Sequence, residues 1–236
     1  MKPRRSCIFA TRDGFTLLEI LIAIAIFGVL VSTIYSSLNA VLSRNDAIAY
    51  GADVHEKARA CLNRMVMDLS SIYVELPPIY KQPETTSEPD EYRFVAEKVT
   101  VGTNYYPKIR FTSMAHLPMT GTAGAGIAEI FYYVVENEDR DASPILKRAD
   151  RAYPFFQNDE FEELESDPIL CEDMEELIFT YYDQDGEAHE EWNSESDFYK
   201  YATPKMIGIQ LKIKKKSEVY TFSTQLEIPV YREKPK

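Results

Sequence analysis

From Phe15 to Tyr35 the chain runs through twenty-one residues with a single charge, Glu19. Nothing else in the sequence restricts the fold as strongly. As a helix this run is long enough to cross a bilayer. A basic segment (Lys2, Arg4, Arg5, Arg12) precedes it and ends at Gly14. Basic residues on that side predict a cytoplasmic N-terminus, with the rest of the chain translocated outward. A carboxylate within such a span costs about 2.5–3.5 kcal/mol on insertion scales, so Glu19 calls for a partner. A secretory signal would place its apolar region before a cleavage site of small residues. Here the apolar region follows Gly14, and no such site lies beyond Val31. A plain single-pass anchor accounts for the basic residues and the apolar run, but not for Glu19 or for a glycine at that spacing.

Gly14-Phe15-Thr16-Leu17-Leu18-Glu19 followed by an apolar helix resembles the class-III leader of type IV pilins and pseudopilins. The resemblance implies that an inner-membrane prepilin peptidase cuts between Gly14 and Phe15 and methylates the new amine of Phe15. Glu19 would then be the fifth mature position and would pair with the Phe15 amine of an adjacent subunit. The chemistry suits the role. A free α-amine has a pKa of about 7.7–8.0 and is largely cationic at neutral pH. A carboxylate out of water is costly unless it is paired. Asp13, acidic and beside the cut, departs from the pattern.

No proline interrupts the chain from Phe15 to Tyr73, and Pro77-Pro78 is the first helix-stopping cluster. The apolar first half gives way to an amphipathic second half. Ala47, Gly51, Val54, Ala58, Cys61, Leu62, Met65, Leu69 and Ile72 recur at steps of three and four. Asp46, Asp53, Glu56, Lys57 and Arg64 fall on the other face. The expected organisation is a leader over 1–14, a membrane-spanning helix over 15–35, an amphipathic helix over 36–75 and a β-rich periplasmic domain over 76–236. Four prolines between Leu76 and Glu91 read as a loop, and Gly121–Gly126 as another.

Beyond the first loop the apolar period becomes two. Strands are expected over Tyr92–Val99, Lys108–Ser113, Ile127–Val135, Ile145–Arg148, Leu177–Tyr182, Lys205–Lys214 and Val219–Ile228. Ile207, Ile209, Leu211 and Ile213 share one face of the sixth; Tyr220, Phe222, Thr224, Leu226 and Ile228 share one face of the last. Asp185-Gly186 signals a hairpin turn into a short strand near Trp192. The fold class is therefore α+β, a long N-terminal helix packed on antiparallel sheets.

The net charge is −12, and the basic residues of the leader make the remainder more acidic still. That argues against a nucleic-acid partner, whose phosphates need clustered Lys and Arg. Cys7 belongs to the leader. Cys61 and Cys171 read as two separate buried thiols, a disulfide being permitted in an oxidising compartment. His55, His116 and His189 lie far apart with no second ligand at metal spacing, so no metal or other cofactor is expected. No nucleophile elbow or phosphate loop occurs, and no catalytic residue is assigned. Asp159–Glu176 holds ten carboxylates. A solvated acidic face, or one meeting a basic partner, is the simpler reading, with calcium as the alternative. Asp183-x-Asp185-Gly186-Glu187 superficially matches a calcium loop, but its glycine comes too early and a hairpin explains it.

Several short motifs in one order narrow the family. Arg64 and Asp68-Leu69 at the helix end, Ile109–Ser113, the Ile130–Val135 strand, Leu146-Lys147-Arg148, Leu177–Asp185 with Gly186 before Trp192, and Thr203-Pro204-Lys205-Met206-Ile207 resemble the J-type minor pseudopilin of type II secretion. The acidic insert at Asp159–Glu172 and Thr203 before Pro204 depart from it. The resemblance implies a structural subunit of the pseudopilus tip, associated with I-type and K-type minor pseudopilins and, through its N-terminal helix, with other pseudopilins. It would sit in the inner membrane as a single-pass protein with its C-terminal domain in the periplasm, helping to initiate assembly and to export folded proteins. A minor type IV pilin is the runner-up, and a membrane-anchored periplasmic enzyme a third reading.

Overall fold

The computed structural model describes residues 15–80, 89–116, 126–137, 143–152, 161–215 and 218–234, and the helix backbone without side chains over 42–50. The leader, Cys7, Gly14, the Gly121–Ala125 part of the glycine loop, and Asp159 and Glu160 lie outside these residues. The chain divides into two compact units, 1–52 and 53–236. One helix, α1 (Leu17–Ser70), has residues in both.

In the first unit every described side chain of the helix is exposed. Leu17–Val41 is apolar enough and long enough to cross a membrane, and none of it is buried by protein. Phe15, Leu17, Phe27, Ile34 and Tyr35 each expose about two thirds of their surface or more. A contiguous apolar surface of this size is not tolerated in water and needs lipid or another helix to cover it.

In the second unit the helix buries Val54, Ala58, Cys61, Met65, Leu69 and the following Ile72, the three- and four-residue steps expected of one helical face. The helix ends at Ser70, short of the expected Glu75, because the next residues join a sheet. Ile72 bridges Ser113, the Tyr73 N–H donates to the Thr112 carbonyl at 2.9 Å, and the Met114 N–H donates to the Ser71 carbonyl at 2.8 Å. The Ser113 hydroxyl donates to the Asp68 carbonyl at 2.7 Å, satisfying one acceptor that a helix end leaves open.

Two antiparallel sheets complete this unit. The strands are β1 (Val95–Val101), β2 (Asn104–Ser113), β3 (Ala128–Val135), β4 (Ile145–Ala152), β5 (Ile169–Cys171), β6 (Met174–Tyr182), β7 (Ala188–His189), β8 (Trp192–Asn193), β9 (Met206–Lys215) and β10 (Glu218–Glu227). One sheet runs β5-β4-β3-β2-β1-β8 and the other β10-β9-β6-β7. Ile207, Ile209, Leu211 and Ile213 are all buried, as their alternation requires. Leu226 and Ile228 are buried too, whereas Tyr220, Phe222 and Thr224 are half-buried.

One connection differs from expectation, and one strand, β5, is additional. The Asp185-Gly186 turn does not lead to a strand at Trp192 in the same sheet. It leads to β7, and the chain then crosses over so that Trp192 and Asn193 pair with Ala96 and Val95 of β1. β5 has too few residues to display a period, so periodicity could not reveal it. Gly102 (φ 61°) and Gly186 (φ 85°) occupy the left-handed region at the β1–β2 and β6–β7 turns, where a side chain would be strained.

β3 is buried on both faces. Ile130, Tyr132 and Val134 point into the main core, and Phe131 and Tyr133 into a second cluster closed by Phe161. The Phe161 ring stacks on Phe131 at 4.0 Å.

Candidate functional site

The first candidate lies at the start of α1. Thr16 precedes the helix, and its N–H donates to Glu19 Oε2 at 3.0 Å while the Glu19 N–H donates back to Thr16 Oγ1 at 3.3 Å. The Thr16 hydroxyl also donates to Glu19 Oε2 at 3.1 Å. This reciprocal capping box satisfies two N–H groups that a helix start leaves without partners. It also places a negative charge against the positive end of the helix dipole. In the single chain, therefore, the carboxylate expected to demand a partner is held by its own helix terminus. Phe15 lies one residue before Thr16, so an amine created there would arise beside that carboxylate.

The second candidate is the C-terminal end of the same helix, where segments distant in sequence meet on one buried carboxylate. Asp68 is fully buried. It accepts from Arg64 Nη2 at 2.5 Å, Arg148 Nε at 2.7 Å and the Tyr132 hydroxyl at 2.6 Å. Arg148, itself buried, donates through Nη1 to Asp150 at 2.7 Å, and Asp150 contacts His116 Nδ1 at 2.6 Å. The Ala115 carbonyl accepts from Arg64 Nη2 at 2.6 Å and from Arg148 Nη2 at 3.3 Å. Burial alone would lower the Arg148 pKa, but its bonds to Asp68 and Asp150 outweigh that and raise it. Burial first, and the Asp68 charge second, hold the Tyr132 hydroxyl well above its ordinary value. Arg148 is thus held as a cation and the Tyr132 hydroxyl as a neutral donor, which suits a structural joint.

This hub was not foreseen. Arg64 was expected on the polar face of the helix, yet it turns toward Asp68. The four-residue spacing of Arg64 and Asp68 gave the only local signal. The resemblance motifs at the helix end, Ile109–Ser113, Ile130–Val135 and Leu146–Arg148 all contribute a residue to this one place.

Cys61 and Cys171 are not separate thiols. They form a disulfide, with Cα atoms 5.6 Å apart, joining the helix to β5. The helix face brings Cys61 to the end of β5, which the sequence had not revealed as a strand. Beside it Lys57 Nζ donates to Asp173 at 2.8 Å, and Lys215 Nζ to Asp53 at 3.0 Å. The acidic stretch is therefore shared out. Glu163 faces Lys108, Glu172 and Asp173 face Lys57, and Glu175 and Glu176 face Lys214 and Lys212.

The histidines also sort themselves. His55 is exposed and edges against Phe222 at 5.0 Å. His116 belongs to the hub. The sequence offers His189 no second ligand at metal spacing, but in the fold it lies in a cluster with Asp183 and Glu187. The turn at Gly186 brings the three together across the hairpin.

Comparisons with known proteins agree with this arrangement. The model of a prokaryotic N-terminal methylation motif matches residues 10–35. The model of type II secretion system (T2SS), protein J, matches residues 36–224, most of the chain. A search of curated proteins found no match. With the capped apolar helix, the buried joint at its end and nearly all of the paired sheets falling inside these two matches, the chain belongs to the type II secretion system protein J family and is a minor pseudopilin.

Proposed function

We propose that this pseudopilin is made as a precursor, cut between Gly14 and Phe15 by the prepilin peptidase and methylated on Phe15. It then serves at the pseudopilus tip with I-type and K-type minor pseudopilins, helping to start assembly. Interaction with other pseudopilins and with the peptidase follows from the family, and the tip position with these two neighbours is proposed on the same ground. Before assembly the protein is held in the inner membrane by Leu17–Val41, with the unit from Asp53 onward in the periplasm. The disulfide supports that side, because such bonds persist in oxidising compartments.

One observation carries the proposal: Glu19 is the only charge in the apolar part of α1, and it already sits at the helix start in a capping box. On assembly Glu19 exchanges part of that cap for the Phe15 amine of a neighbour. The exchange keeps the carboxylate satisfied at each stage, and the pairing sets a fixed axial step between subunits. Glu19→Leu is expected to be cleaved and methylated normally yet to be absent from the assembled tip complex. Normal recovery of the variant with its neighbours, by crosslinking from membranes, would remove the role given to Glu19.

A further inference from the structure

The geometry points to a transition-metal site of the zinc class formed by Asp183, Glu187 and His189 at the β6–β7 turn. Each residue offers one ligand atom, and the three atoms lie within 4.8 Å of one another. His189 Nε2 is 3.5 Å from Asp183 Oδ2. Two ligands of a tetrahedral zinc ion at about 2.0–2.1 Å stand about 3.3–3.4 Å apart, so this pair already has the required separation. The exposed Glu187 side chain completes the set by rotation about its own torsions.

Two further features favour an ion over an ordinary surface cluster. His189 Nε2 is shut off from solvent, and Asp183 Oδ2 at 3.5 Å is too far for a good hydrogen bond, which is costly for a polar nitrogen. Asp183 has one oxygen fixed and the other free to ligate. Oδ1 accepts the Asp185 N–H at 3.0 Å and the Glu187 N–H at 2.8 Å, leaving Oδ2 directed at His189. Such outer bonds orient a ligating carboxylate. The imidazole is held edge-on by Trp192 at 5.6 Å and by Tyr199 at 5.6 Å.

One imidazole and two carboxylates suit zinc better than calcium, which takes six to eight oxygens. Water would fill the fourth position. The ion would fasten the β6–β7 turn where the chain passes from the four-stranded sheet to the six-stranded one.

Trp192 is the only tryptophan and touches His189, so its emission reports on the site directly. The detergent-solubilised full chain, freed of metal, is titrated with Co²⁺ while visible absorption and tryptophan emission are followed, and Zn²⁺ is then added in competition. One saturable equivalent is expected, with quenching of Trp192 and tetrahedral Co²⁺ bands that Zn²⁺ displaces. His189→Phe and Glu187→Gln should each weaken binding by more than about tenfold while leaving the far-ultraviolet dichroism and the thermal unfolding of the metal-free protein unchanged. Glu187→Gln keeps the test valid if Asp183→Ala, which also removes the acceptor of both turn bonds, fails to fold. Absence of saturable binding, or equal binding by His189→Phe, would overturn the site and assign any bound metal to the acidic surface.

Discussion

At the scale of single residues the molecule depends on Asp68. Its carboxylate is fully buried and satisfies two guanidinium groups and a hydroxyl. Replacing it strands the buried Arg148 charge. Asp68→Ala is expected to lose about 3–5 kcal/mol of stability, as breaking a buried pair from one side does. Urea unfolding of the solubilised protein measures this. Arg148→Ala should be of similar size, and the double variant should cost less than the two single losses added together. Lys57 acts on a smaller scale. Its bond to Asp173, and then the charges around it, raise its pKa above the ordinary 10.5. A raised pKa means that its contribution is complete below 10.5 and fades as the pH climbs through the folded value. Both side chains are more than one third exposed, so the clasp is worth less than about 1 kcal/mol. The stability gap between the protein and Lys57→Gln should therefore be small at neutral pH and close on the alkaline side. A gap that persists above that range would point to packing by the lysine stem in place of charge.

At the scale of elements, what the sequence revealed and what it hid follow from how local each signal is. The apolar run, the buried helix face from Val54 to Ile72 and the alternation of β9 are repeated within a few residues of chain, and each was readable. The helix end was misplaced because Ile72 and Tyr73 are captured by Ser113 and Thr112, some forty residues away. Asp68 looks like a solvent-facing helix residue until β3 and β4 bring Tyr132 and Arg148 to it. The pairing of Cys61 with Cys171 depends on β5, a three-residue strand. For His189 a signal did exist: Glu187 and His189 are two apart, just before and at the end of β7, after a turn that returns Asp183. The disulfide fastens α1 to β5, so Cys61→Ser is expected to lower stability by about 2–4 kcal/mol. Thermal unfolding with and without reductant checks it, and the variant itself should no longer respond to reductant.

At the scale of the whole molecule, membership in the protein J family predicts a phenotype. A strain lacking this gene should fail to release exoproteins while its surface pili stay intact. Loss of pili with normal secretion would reassign the subunit to pilus priming. The Glu19→Leu variant, supplied in place of the normal gene, should reproduce the secretion defect although it is processed. The acidic character of the chain sets no specific partner by itself, since many carboxylates of the 161–176 segment already face the chain's own lysines.

The link between Cys61 and Cys171 makes the polypeptide a lasso, with its partners 110 positions apart in sequence. β1 to β4 lie wholly inside the loop. A protease that nicks the chain once anywhere between residues 62 and 170 would open the loop without releasing a fragment. The membrane-anchored piece and the piece carrying β6, β9 and β10 would stay tethered, separating on a gel only after reduction.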